Sequence, residues 1–262
     1  MRIEPNDADM KLCIIMVGLP ARGKSFISHQ LDRYLNWIGL PCKVFNVGKY
    51  RRVNYGTEEC GHNFFDFTNP LNLAHREELA QLALSDTVDW LKSFEGKVGI
   101  FDATNVTYIR RKNIYENLTK NNITTFFVES ICDDNEILNN TIETIKAYSP
   151  DYIGVEKEKA KKDFIERIRL YQNAYISINE QQNESHYSYI KIYNAGLKFE
   201  INRPRDYLQH RIIQLLMNQH IKSKTIYLSR RGESKLNEKG TNDVDSCLSK
   251  QDLEFAKNLI DF

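Results

Sequence analysis

Leu12-Cys13-Ile14-Ile15-Met16-Val17 runs straight into Gly18-Leu19-Pro20-Ala21-Arg22-Gly23-Lys24-Ser25. The first half is a short, wholly apolar run, the pattern of a strand buried on both faces. The second half is Gly-x-x-x-x-Gly-Lys-Ser, the spacing of a nucleotide phosphate loop. Each position has a physical use there. The glycines let backbone N–H groups approach an anion, Lys24 adds positive charge, and Ser25 offers a hydroxyl to Mg²⁺. Such a loop must open a helix, whose N-terminus favours bound phosphate. Ile27, Leu31, Leu35 and Ile38 recur at helical spacing just behind it, so strand, loop and helix follow in order. We read a nucleoside triphosphate site here.

Composition bounds the rest. With 262 residues, the chain has room for one large α/β domain, or a domain plus a fragment. Hydrophobic residues make up 41% and charged residues 27%, with a net charge of +1. No overall field argues for nucleic acid or an anionic membrane, so an anion site must be a local cluster of Arg and Lys. No apolar run reaches the ~20 residues of a membrane helix, and the acidic N-terminus is unlike a signal peptide. Five scattered cysteines suggest free thiols in a reducing compartment, which gives a cytoplasmic expectation.

Strand-like runs at 12–17, 43–47, 98–101, 124–129 and 190–193 alternate with longer amphipathic segments. Those segments predict helices over 24–37, 71–94, 109–120, 135–147, 156–181 and 206–218, with Pro204 suiting the start of the last. The alternation predicts an α/β fold of phosphate-loop kinase type, a mainly parallel sheet with helices on both faces. Periodicity is lost between Arg52 and Pro70, which reads as a mobile loop beside the phosphate site. A composition shift near residue 222 divides the chain into 1–222 and 223–262, with a strand predicted over 225–229.

Phe101-Asp102-Ala-Thr-Asn105 follows a short hydrophobic run. A carboxylate at the C-terminal end of a parallel strand sits where ligands bind in open α/β sheets. Beside a phosphate loop, Asp102 can hold Mg²⁺ or accept a proton from an attacking hydroxyl. The alternative is a cap on the next helix, a role that Asn105 could also fill. Arg51-Arg52 and Arg110-Arg111 lie near strand ends, and Arg76, Lys146 and Arg167 fall in predicted helices. In a nearly neutral chain, such a set fits a second phosphorylated ligand, because guanidinium forks match phosphate geometry. His62 beside Cys60 falls short of the four ligands a structural zinc needs, and the lysines over 157–162 read as a solvated helix face.

The phosphate loop, Arg33-Tyr-Leu-Asn-Trp-Ile-Gly39, Lys43-Val-Phe-Asn-Val-Gly48 and Tyr50-Arg-Arg52 resemble the kinase half of the 6-phosphofructo-2-kinase/fructose-2,6-bisphosphatase family. The likeness continues through Phe101-Asp-Ala-Thr-Asn105, Glu129-Ser-Ile-Cys-Asp-Asp134, Ser149-Pro-Asp-Tyr152 and Thr225-Ile-Tyr-Leu228, covering roughly residues 12–235. The resemblance implies transfer of the γ-phosphoryl group of ATP to the 2-hydroxyl of fructose 6-phosphate. It implies ATP phosphates on Gly18 through Ser25, with Ser25 and Asp102 toward Mg²⁺ and Lys24, Asp102 and Lys146 as catalytic groups. It implies fructose 6-phosphate on Arg51, Arg76, Thr104, Arg110, Lys146, Arg167 and Tyr171. Thr141 stands where the family's nucleotide-lining stretch usually has asparagine, and Cys132 matches a family cysteine near the nucleotide.

In the family's phosphatase half, a strand leads into Arg-His-Gly-Glu, whose histidine is phosphorylated. This chain has Arg230-Arg231-Gly232-Glu233, with Arg231 at the histidine position. A guanidinium stays protonated and offers no lone pair, so it cannot be the nucleophile. The expectation is a kinase without bisphosphatase activity, with 223–262 an incomplete histidine-phosphatase remnant, packed at 225–228 and disordered at 237–249. The rival reading is a catalytically silent protein that binds ATP and sugar phosphate and regulates. A kinase domain without its second half exposes an apolar face, met by self-association into a homodimer or by a partner subunit.

Overall fold

The computed structural model describes residues 11–56, 61–179, 183–219, 250, 253, 254, 256 and 257. The chain divides into two compact units, Met1–Lys222 and Ser223–Phe262, and every element named below belongs to the first. The strand expected over 225–229, the disorder expected over 237–249 and Arg231 lie outside the described residues.

Strand β1 (Leu12–Val17) is buried at all six positions. It pairs in parallel with β3 (Val98–Asp102) on one side and β4 (Thr124–Ile131) on the other. The six-stranded sheet is completed by β2 (Cys42–Asn46), β5 (Tyr189–Tyr193) and β6 (Lys198–Asn202), in the order β2-β3-β1-β4-β5-β6. All pairings are parallel except β5 with β6. A strand buried on both faces needs an apolar layer above and below it. On one face Leu12, Ile14 and Met16 meet Ile27, Leu31 and Leu35 of α1 (Lys24–Trp37) and Ile212, Ile213 and Leu216 of α7 (Tyr207–Asn218). On the other, Cys13, Ile15 and Val17 meet Ala80, Ala83, Leu84 and Leu91 of α3 (Pro70–Lys92) and Ile114 and Leu118 of α4 (Tyr108–Lys120). Helices cover both faces, as the alternation predicts. No described helix is long and apolar enough to cross a membrane.

Four local expectations are corrected. The stretch from Arg52 is not a loop throughout: α2 (Val47–Tyr55) occupies its start, with the Asn46 side chain accepting the Lys49 N–H at its N-terminus. A 3-10 turn, His62–Phe65, follows, and Cys60 lies outside the described residues. The helix expected over 156–181 is α6 (Lys157–Gln172). Beyond it, Ile176 N–H reaches the Val106 carbonyl and Ile178 N–H reaches Glu129, so the backbone leaves the helix to bond across the sheet end. The edge strand β6 was not foreseen, although Lys-Phe-Glu-Ile-Asn alternates after a turn whose Asn194, Ala195 and Gly196 all have positive φ. Pro204 does not open α7, which Asp206 caps through Gln209 N–H.

One buried ion pair ties the loops at the strand ends. Arg111 is fully buried, and its Nε and Nη2 meet the Glu184 carboxylate oxygens at 2.7 Å each. Its Nη1 also donates to the carbonyls of Asn105, Val106 and Ile176. Arg111 is therefore not available to a ligand, contrary to its pairing with Arg110 in the sequence. Removing one partner strands the other charge in the core, at about 3–5 kcal/mol. Arg111→Ala should lower the urea unfolding free energy by that amount; a loss under about 1 kcal/mol would show that the pair is not structural.

Candidate functional site

The parallel order reverses at β1: the chain crosses from β1 out to β2, returns through β3, and leaves again to β4 on the far side. Loops that diverge at such a switch point open a crevice at the carboxyl ends of the strands. Here the crevice is a cleft of about 740 Å³. Pro20, Ala21, Arg22, Gly23, Lys24 and Ser25 line one part of it, with Asp102, Thr104 and Thr141. Arg51, Arg76, Arg110, Arg167 and Tyr171 line another part of the same cleft.

The phosphate loop is held by backbone contacts. Gly18 has φ +131°, and a Cβ there would sit 2.4 Å from the Ser130 carbonyl oxygen, so only glycine fits. Its N–H donates to the Thr104 carbonyl at 2.9 Å, and the Ser130 hydroxyl donates to the Arg22 carbonyl. Gly18 and Leu19 thus lie beneath the loop rather than on the cleft wall. Gly23, at φ +75°, immediately precedes α1, whose first residue is Lys24. The Lys24 ammonium is buried and donates to the Leu19 carbonyl at 2.6 Å. Burial pushes its pKa down to about 7, against the pull of Asp102 and with the push of Arg22 and Arg167.

Asp102 ends β3 and is 2% exposed. Asn46 lies opposite it in register on β2 and donates its side-chain N–H₂ to Oδ2 at 2.6 Å. The capping alternative for Asp102 and Asn105 is set aside by the structure: Thr107 caps α4 by accepting the Arg110 N–H, and Asn105 donates to the Met16 carbonyl. No group of three or more His, Cys, Asp or Glu side chains among the described residues could hold a metal. Ser25 and Asp102 suit Mg²⁺, which keeps several waters and takes one or two protein ligands beside substrate phosphates.

The arginines rest on aromatic rings. The guanidiniums of Arg51 and Arg167 lie 5.2 and 3.8 Å from the Phe65 centroid, and that of Arg76 lies 4.1 Å from the Phe67 centroid. Tyr171 packs against both phenylalanines. Arg76 donates to the Phe65 and Asp66 carbonyls, and Arg110 meets Glu77 at 2.6 Å. Arg51 is 3% exposed; its Nη2 lies 2.5 Å from Asp151 Oδ1 as an ion pair without hydrogen-bond alignment, and its Nε and Nη1 have no protein partner. Asn46, Phe65, Phe67 and Asp151 were not singled out from the sequence. Asn46 left a signal there in the Phe-Asn-Val-Gly run closing a strand, and Asp151 in Ser149-Pro-Asp-Tyr152, whereas Phe65 and Phe67 left none.

Thr141 lies in α5 (Asn135–Tyr148), and its hydroxyl donates to the Ile137 carbonyl at 2.8 Å. Lys146 is in the same helix, and its side chain lies outside the described residues. Cys132 stands off the cleft wall, in a pocket of about 30 Å³ with Leu19, Arg22 and Tyr175. Burial pushes its thiol up, which favours an inert packing role.

The model of the family described as 6-phosphofructo-2-kinase matches residues 1–223. The rat protein 6-phosphofructo-2-kinase/fructose-2,6-bisphosphatase 4 is 45% identical over 249 residues, 95% of this chain and 53% of that protein. Human 6-phosphofructo-2-kinase/fructose-2,6-bisphosphatase 1 is 44% identical over 260 residues, 98% of this chain and 54% of that protein. The chain spans about half the length of the curated relatives it matches. With a family model running through the phosphate loop, Asp102 and the whole arginine cluster, the chain belongs to the 6-phosphofructo-2-kinase family.

Proposed function

We propose that this chain transfers the γ-phosphoryl group of ATP to the 2-hydroxyl of fructose 6-phosphate, giving fructose 2,6-bisphosphate. The observation that carries this reading is Arg51, a buried guanidinium with unpartnered N–H groups, in the same cleft as the phosphate-loop lysine. Buried donors without partners cost stability, and a protein that bound no second anion would have no physical use for them. Against a catalytically silent binder of the same two ligands stands Asp102, a buried carboxylate that Asn46 aligns in the cleft beside the phosphate loop and that anion binding alone would not need. Lys24 and the loop N–H groups would hold the nucleotide phosphates, and Arg51, Arg76, Arg110 and Arg167 would fix the sugar phosphate. Mg²⁺ on Ser25 and Asp102 would supply charge neutralisation at the β- and γ-phosphates. Asp102, oriented by Asn46, would accept the 2-hydroxyl proton or serve the metal, and Lys146 would act between the two ligands. Catalysis is then positioning and electrostatics.

Purified protein given Mg·ATP and fructose 6-phosphate should form acid-labile fructose 2,6-bisphosphate. Lys24→Met should cut the rate by several tenfold steps, each about 1.4 kcal/mol of barrier; a near-normal rate would overturn the role of Lys24. Binding should also report the depressed lysine. Only protonated Lys24 attracts phosphate, and in the free protein that proton is lost as pH rises through about 7. Calorimetry in buffers of different ionisation enthalpy should show proton uptake on ATP binding at pH 8, with affinity falling up to about tenfold per pH unit above 7. A flat profile would place the lysine pKa elsewhere. Arg231 supports a chain without a bisphosphatase nucleophile, so added fructose 2,6-bisphosphate should release no phosphate; release at a rate comparable to synthesis would contradict this.

A further inference from the structure

Asp151 sits inside the arginine cluster. Its Oδ1 lies 2.5 Å from Arg51 and 3.3 Å from Arg52, and its Oδ2 lies 3.2 Å from Arg167. It belongs to a 3-10 turn, Pro150–Tyr152, whose N-terminus Ser149 caps by accepting the Asp151 N–H. The turn is pinned to α6 by the Tyr152 hydroxyl, which donates to Asp163 at 2.9 Å, and His62 holds the other Asp163 oxygen. The carboxylate is thus delivered by a braced turn, not by a swinging loop. Burial opposes its charge, but the guanidiniums overcome burial and hold its carboxyl below the ordinary value.

The three guanidiniums around Asp151 repel one another, and its single carboxylate leaves that group with two net positive charges. A phosphomonoester carries about −1.5 to −2 at neutral pH. We propose that Asp151 is a resident counter-ion. It holds Arg51, Arg52 and Arg167 together while the cleft is empty, and it trims their charge so that the site takes a phosphomonoester dianion and rejects singly charged anions. The unpartnered Nε and Nη1 of Arg51 and Nε of Arg167 are the donors left for that phosphate. This inference rests on the cluster being the sugar-phosphate site, yet it concerns the phosphate alone and can be read without any sugar.

The test uses the full chain with its phosphate loop filled by a saturating non-hydrolysable ATP analogue, so that added anion reports only the arginine cluster. Inorganic phosphate and formate are titrated into wild type, Asp151→Asn and Asp151→Glu. Asp151→Asn should melt lower than wild type without anion, bind phosphate about tenfold tighter, and bind formate where wild type does not. Asp151→Glu should keep wild-type selectivity. Arg52→Gln, a change at a side chain 27% exposed, removes one charge in the opposite sense and should weaken phosphate about tenfold. In turnover, Asp151→Asn should lower KM for fructose 6-phosphate and leave KM for ATP unchanged. Equal or weaker phosphate binding by Asp151→Asn would overturn the counter-ion role and leave Asp151 a brace for the forks. If Asp151→Asn does not fold, unchanged phosphate affinity in Arg52→Gln overturns it instead. Absence of turnover in wild type, with the anion results intact, would reject the kinase reading and not this one.

Discussion

Everything at the cleft depends on β1 lying buried on both faces between β3 and β4. A central strand packed from above and below cannot shift without opening two cores. The loop it launches is therefore presented rigidly, and Gly18 passes so close to the Ser130 carbonyl that no side chain is tolerated. Rigidity matters because what a phosphate loop offers an anion is backbone N–H groups, which have no rotamers with which to adjust. The same crossing that puts β1 at the centre sends α1 and α4 to opposite faces, and the crevice between their loops is the cleft.

The cleft's chemistry is a managed excess of positive charge. Lys24 is buried deeply enough to titrate near neutrality, and Arg51 is buried with donors unused. Charge kept out of water is costly until a counter-charge arrives, which is how an empty site can be poised for a phosphate. Aromatic faces share the burden: Phe65 carries Arg51 and Arg167, and Phe67 carries Arg76, keeping planar forks flat without using their hydrogen bonds. Asp102 and Asp151 are the acidic balance, one aligned by Asn46 and the other gripped by three arginines.

Much of this was legible in the chain. β1 and α1 came out with their bounds, because an all-apolar run and a 3.6-residue stripe leave no rival reading. The elements that escaped are those whose stability is not local. Helix α2 is short and polar, with only Arg51 buried, and its pattern carries no stripe to detect. Strand β6 depends on pairing with β5, and α6 stops where the backbone finds better partners across the sheet than along the helix.

The sequence by itself determined the α/β class, the phosphate loop and the presence of an arginine set, because these follow from periodicity, glycine spacing and charge type. Only the tertiary structure decided which arginines are free to bind. Arg110 and Arg111 are neighbours in the chain, yet one lines the cleft and the other is consumed by Glu184 in the core. Asp151 lies a hundred residues from Arg51 and touches it. Whether a charge serves a ligand or the fold is set by which opposite charge folding brings within a few ångströms, and that distance is written nowhere along the chain.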